Sequence, residues 1–224
     1  MNLMGTRSTD AAPARDLVWV REPLQARSQA TLGRLLDATE TLLEKEAFDA
    51  LSVQSICKEA RSSVGAFYTR FPDKTSLLHL LHERICQEAR ETAQTALAPE
   101  RWSGQPLHEV VAAIVAFVVA EYRTRRGVRM EVVRRNGLDD AFRKRSVDVA
   151  AFTARCLGLL LEARKAEMTH PTPALAAEVM HRILFSVLDQ HAIFGDGGPV
   201  GMSLDDDALT AELSRAMLGY LDVT

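Results

Sequence analysis

The residues best suited to chemistry lie between Ser52 and Lys74, in the run SVQSICKEARSSVGAFYTRFPDK. Hydroxyls at Ser52, Ser63, Tyr68 and Thr69, with cations at Lys58, Arg61, Arg70 and Lys74, are the groups that bind phosphate oxygens. Gly65 and Ala66 are small, so backbone there can come close to another backbone or to a phosphate. Four cations against two carboxylates give this run a charge of +2 inside a chain of net charge −3. For a nucleic-acid partner the distribution matters more than the sum. Other candidate chemistry is thinner. His79 and His82 share a helix face at i, i+3, but no carboxylate–histidine set stands near them at ligand spacing. They read as surface histidines, and no metal site is assigned. Cys57, Cys86 and Cys156 are odd in number and far apart, which excludes a disulfide framework and a zinc ribbon. Cys57 and Cys86 read as small buried hydrophobes. The chain has no Ser/His/Asp signature, Gly-rich phosphate loop or HExxH, so no catalytic residue and no cofactor is assigned.

Phosphate-binding groups need a rigid carrier, and the apolar spacing supplies helices almost everywhere. Ser28 starts a helix whose inner face holds Leu32, Leu35, Leu36, Leu42 and Leu43. Ser52 caps a short helix to Glu59, and a second short helix runs from Val64 to about Arg70. Pro72 ends it, and Asp73 caps a long helix carrying Leu77, Leu78, Leu81 and Ile85. Val53, Ile56 and Ala60 are spaced to pack inward. Two short helices joined by about four residues form a helix-turn-helix, whose second helix enters the DNA major groove. The stretch from Ala98-Pro99 to Gly104-Gln105-Pro106 is a hinge, and longer helices follow it: Leu107 to about Arg125, Arg129–Arg135, and Asp139 to about Met168. A helix from Thr172-Pro173 to Phe194 ends at Gly195, and one to about Leu221 opens with a capping box of Ser203 and Asp206. The helix from Leu107 is apolar nearly all round, which predicts that it is enclosed. No segment reads as a strand and no repeat is evident. The fold class is all-α, with about nine helices.

The run from Arg27 to Leu81 resembles the DNA-binding domain of TetR-type transcriptional regulators. The resemblance rests on RSQATLGRLLDATETLL, on Ser-Val-x-x-Ile-x-x-x-Ala, on Ser63-Val64-Gly65-Ala66-Phe67-Tyr68, and on Phe71-Pro72-x-Lys74-x-x-Leu77-Leu78. It implies an arm over residues 1–26, a helix-turn-helix domain over 27–89 with the motif at 52–71, and an effector-binding and dimerisation domain over 90–224. Residue by residue, it implies that Ser52 and Ser63 cap helices and touch phosphate. Val64, Ala66 and Thr69 would face base edges, and Tyr68 would set its hydroxyl on the DNA backbone. Lys74 would bind phosphate. Arg27, and Arg21 in the arm, would reach the backbone or the minor groove. Two positions depart from the pattern: Arg61 stands where the turn usually has glycine, and Ser62 where a buried valine is common. A non-glycine residue with positive φ is uncommon, so the turn is expected to be strained or differently shaped, with Arg61 as a further phosphate contact. Val64 replaces a commonly polar residue, which shifts specificity toward shape and methyl contacts.

The resemblance also implies an unidentified small-molecule effector in the second domain. A mostly apolar site with a few polar groups is expected there, drawn from Phe117, Glu121, Tyr122, Phe152, Cys156, Met180, His181 and Leu184, with Phe185, Arg155 and His191 nearby. It further implies a homodimer through the last two helices, along Val179, Ile183 and Val187 on one and Leu209, Leu213 and Tyr220 on the other. Two-fold symmetry would set paired recognition helices on a palindromic double-stranded operator, and effector binding would release it. The stretch from Arg123 to Arg145 carries nine basic and three acidic residues, and the tail from Asp196 carries one arginine against six acids. Pairing between these two regions is the expectation, with a second nucleic-acid surface or an anionic effector as alternatives. Rival functions are an all-α enzyme around Glu121, His181 and His191, and an interaction protein with a decayed motif. The longest apolar run, Val110 to Ala120, has eleven residues. A bilayer needs about 20. No membrane partner and a cytoplasmic location are therefore expected.

Overall fold

The computed structural model describes residues 26–195 and 204–223. All nine α-helices among them follow the sequence pattern: α1 Ala26–Leu43, α2 Val53–Glu59, α3 Val64–Tyr68, α4 Lys74–Ala96, α5 Leu107–Thr124, α6 Arg126–Asn136, α7 Asp140–Ala163, α8 Pro173–Phe194 and α9 Asp206–Leu221. Capping explains most of the starts. The Ser55 amide donates to Ser52 Oγ, the Ala66 amide to Ser63 Oγ and the Ser76 amide to Asp73 Oδ1, at 2.9, 3.0 and 2.7 Å. Each such cap contributes about 1 kcal/mol. Asp139 and Asp205 cap α7 and α9 in the same way. Asp205, not the expected pair of Ser203 and Asp206, supplies the cap of α9; Ser203 lies outside the described residues. Thr172 precedes α8 without a side-chain cap, and Pro173 supplies the helical φ instead. The hinge holds a 3₁₀ turn, Pro99–Trp102, pinned where Trp102 Nε1 donates to the Ala96 carbonyl at 2.7 Å.

Burial divides into two cores. The first gathers Leu35, Phe48, Ile56, Phe67, Phe71, Leu77 and Leu81 from α1 to α4, and takes Val128 from α6 and Phe142 from α7 as well. The second gathers Val110, Val115, Val119, Leu160, Leu161, Met180, Leu184, Leu213 and Met217 from α5, α7, α8 and α9. Helix α4 runs through the division proposed at residue 89 and contributes Ala93 to the second core.

Three expectations are corrected here. Helix α5 is not enclosed on all sides: Val110, Val111, Val115 and Val119 are buried, while Phe117 is 47% exposed on the opposite face. His79 and His82 are not surface residues, being 8% and 2% exposed between α4 and α7. The ring of His82 stacks on Phe142 with centroids 3.6 Å apart. Along α9, Leu209 and Leu213 are buried in the second core, so they are not available for the expected contact with a copy. Among the described residues, no helix is long and apolar enough to cross a membrane.

Candidate nucleic-acid interface and the cavity behind it

Helices α2 and α3 are too short to be stable alone, since isolated helices need about 12–15 residues. Tertiary anchors hold them. Phe67 and Phe71 are fully buried, their rings 5.2 Å apart, and Ile56 and Ala60 anchor α2. That leaves Tyr68 on the outer side, 51% exposed, its ring edge against Phe67 at 5.3 Å. Ser52, Ser63 and Thr69 are exposed around it, whereas Val64 and Ala66 are half-buried and Val64 packs against the first core. Thr69 Oγ1 donates back to the Gly65 carbonyl at 2.8 Å, which leaves its lone pairs outward as acceptors. A Cβ added at Gly65 would meet only Ser63 Oγ, at 3.9 Å, so nothing inside the protein requires glycine there. The open side belongs to whatever approaches from outside.

The turn keeps its shape. Arg61 takes φ +50°, the left-handed region that glycine would fill, and its amide donates to the Lys58 carbonyl while that of Ser62 donates to Cys57. The cost of a left-handed residue is roughly 1–2 kcal/mol. Arg61 and Ser63, the cap of α3, are both exposed. Lys74 stands apart from its expected role. Its ammonium donates to the carbonyls of Phe48, Asp49 and Leu51 at 2.8, 3.3 and 2.6 Å. Three donors meet three acceptors, so Lys74 closes the loop between α1 and α2 rather than facing solvent. Arg70 is used similarly, donating to Ala66 and Ser28 and tying α3 to the start of α1. The side chain of Arg27 and the whole of Arg21 lie outside the described residues.

The basic stretch between Arg123 and Arg145 joins the two cores. Among the described residues, Arg123 reaches the acidic tail, with Asp206 at 3.3 Å. Four others turn to α1, α4 and the loop after α1: Arg125 to Glu40 and Glu88, Arg134 and Arg135 to Asp49, and Arg145 to Glu83. Glu131, 5% exposed, accepts from both Arg134 and Arg135 and completes the cluster. The Arg134 guanidinium holds the Asp49 carboxyl below its usual range, and Glu131 raises Arg134. Arg145 also donates to His82 Nδ1 and meets His79, whose Nε2 lies 3.2 Å from Asp139. Burial, more than the neighbouring arginine, holds His82 down to about 3 and lowers His79. The expected pairing with the tail is kept by Arg123, and four other arginines of the stretch form a clamp on the helix-turn-helix unit. Sequence spacing carries no signal for this, because the partners lie roughly 40–90 residues away.

The residues expected to line an effector pocket do not converge. Phe117 is exposed, Met180 and Leu184 are buried in the core, and His181 stacks on Phe185 at 4.3 Å. Burial lowers the His181 pKa. Phe152 lies between Arg90 and Arg155, Cys156 is half-buried, and Glu121 is half-exposed on α5. Of the residues expected there, Tyr122 and His191 border a cavity of about 390 Å³, together with Glu44, Val119, Arg123, Arg126, Leu188, Ala192, Asp206 and Leu209. The Tyr122 hydroxyl donates to Asp189 Oδ1 at 2.7 Å, and burial raises Asp189 above the usual carboxylate range. Glu44 and Asp189 were missed from sequence because neither stands in a motif.

Comparison with known proteins follows this division. The family model of bacterial regulatory proteins of the tetR family matches residues 35–81. That of the tetracyclin repressor-like C-terminal domain matches residues 106–221, more than half the chain. No curated protein matches the sequence. A solved TetR-family transcriptional regulator from Mesorhizobium loti is 11% identical, with TM-score 0.72 over 88% of this chain and 98% of that one. NalD, the secondary repressor of the MexAB-OprM multidrug efflux pump in Pseudomonas aeruginosa, is 18% identical, with TM-score 0.61 over 88% and 98%. The SmeT–triclosan complex is 17% identical, with TM-score 0.62 over 84% and 91%.

Proposed function

Because the chain belongs to the tetR family of bacterial regulatory proteins, we propose that it is a repressor which binds a palindromic operator as a homodimer and lets go when a small molecule binds. The observation that carries this reading is the division of α3: Phe67 and Phe71 fix it from within, while Tyr68, Ser63, Thr69 and Arg61 are left facing outward. Ser52, Ser63, Tyr68 and Arg61 contact phosphates. The outer edges of Val64, Ala66 and Thr69 meet bases. Lys74 acts on DNA indirectly, by holding the α1–α2 loop. A decayed motif is disfavoured, since Arg61 accepts the strained conformation that keeps the turn.

The repressor part is supported by NalD, and the small-molecule part by SmeT with triclosan. The copies pair chiefly through α8, whose outer face bears Leu175, Ile183 and Ile193 at 51%, 37% and 46% exposure. Val179 and Val187 are half-buried beside that face. The outer side of α9 is polar or small, with Glu212, Arg215 and Gly219, and packs second. Such a dimer presents two α3 helices about 34 Å apart, or a multiple of it. The effector occupies the second domain, and the clamp from α6 and α7 carries its effect to α4. A gel-shift with DNA flanking the coding region tests the reading. Tyr68→Ala is expected to weaken binding to all sequences by roughly tenfold, about 1.4 kcal/mol. Unchanged binding by this variant would refute the contact assignment.

A further inference from the structure

The cavity of about 390 Å³ sits where three parts of the molecule meet: the end of α1, the join between α5 and α6, and the ends of α8 and α9. Its floor is apolar, from Val119, Leu188, Ala192 and Leu209, and its rim holds Arg123, Arg126, His191, Glu44 and Asp206. Both rim carboxylates are engaged. Asp206 pairs with Arg123, and Glu44 accepts from the amides of Gly127 and Val128 at 2.9 and 3.3 Å. Arg126 differs: its Nε donates to the Ala192 carbonyl at 3.0 Å, and among the described residues no carboxylate pairs with it. A guanidinium beside an apolar floor is matched by an anion on an apolar body, because its remaining donors take a carboxylate bidentately.

We propose that this cavity takes an amphiphilic carboxylate, its head on Arg126 and its body on Val119, Leu188 and Leu209, and that it signals by displacing Glu44 from α6. The proposal rests on the reading of the chain as a ligand-released regulator and names the chemistry of that ligand. Glu44 belongs to the helix-turn-helix unit, yet it lines the cavity, and its carboxylate holds the first turn of α6. A second carboxylate beside it repels Glu44 and competes for the same donors, so α1 loses its hold on α6. Differential affinity of this kind is what shifts a two-state equilibrium.

Calorimetry on the full chain, with decanoate as probe and 1-decanol and decyltrimethylammonium as controls, tests the ligand class. Decanoate is expected to bind at least tenfold more tightly than either control, and Arg126→Gln to abolish that preference. Equal binding by all three compounds, or an unchanged decanoate affinity in Arg126→Gln, overturns the assignment. Glu44→Gln is expected to raise decanoate affinity severalfold and to lower affinity for the DNA flanking the coding region. If Glu44→Gln leaves decanoate affinity unchanged, displacement is refuted. Failure of the wild-type chain to bind that DNA would instead refute the regulator reading, and leaves the calorimetric result standing on its own.

Discussion

At the scale of single residues, Arg61 combines two opposed effects. It pays the left-handed cost that glycine avoids, and it adds an exposed cation two residues before the Ser63 cap of α3. Arg61→Gly is therefore expected to raise stability by about 1 kcal/mol in urea melts, and to lower the slope of log affinity against log salt by about 1. A stabilised variant with an unchanged slope removes Arg61 from the contact set. The departure was legible in sequence, because one position in a tight turn requires positive φ and arginine stands there. Lys74 was legible only as a cation near a helix start. That its ammonium closes on the carbonyls of Phe48, Asp49 and Leu51 depends on where the α1–α2 loop passes, and no spacing rule encodes that path.

Among the elements, α6 links the others. Its first turn abuts the end of α1 so closely that a Cβ on Gly127 would lie 2.0 Å from the Leu43 carbonyl oxygen and 2.8 Å from Glu44 Cα. Backbone cannot yield as a flexible side chain does, so Gly127→Ala forces α1 and α6 apart. The expected cost is about 1–3 kcal/mol in thermal or urea melts. Operator affinity should fall by more than Tyr68→Ala lowers it, with helical circular dichroism retained. A variant that binds DNA normally would show that the α1–α6 contact does not position the motif. Helix existence was readable throughout from apolar spacing and caps. The faces of α5 and α9 were less so: an apolar helix such as α5 does not announce which side is covered, and Leu209 and Leu213 could equally serve a copy or their own core. Only packing decided it, against α5 of the same protomer.

Across the whole molecule, the two cores are joined by charges, and His79 and His82 are buried where α4 meets α7. Their pKa values are lower in the folded chain than the ordinary value near 6.5, His82 reaching about 3. The folded state therefore binds fewer protons, so this contribution is full above about pH 6.5 and is lost as pH falls below it. The melting temperature should drop between pH 7.5 and 5, and less steeply in His82→Leu; a flat profile would contradict the burial of these rings. The central claim concerns the paired α3 helices, and binding to the DNA flanking the coding region, titrated at several salt concentrations with its stoichiometry, tests it most directly. The account predicts a two-fold set of protomers on each palindromic site and a log affinity that falls linearly with log salt. One protomer per site, or an affinity that salt does not change, would contradict it.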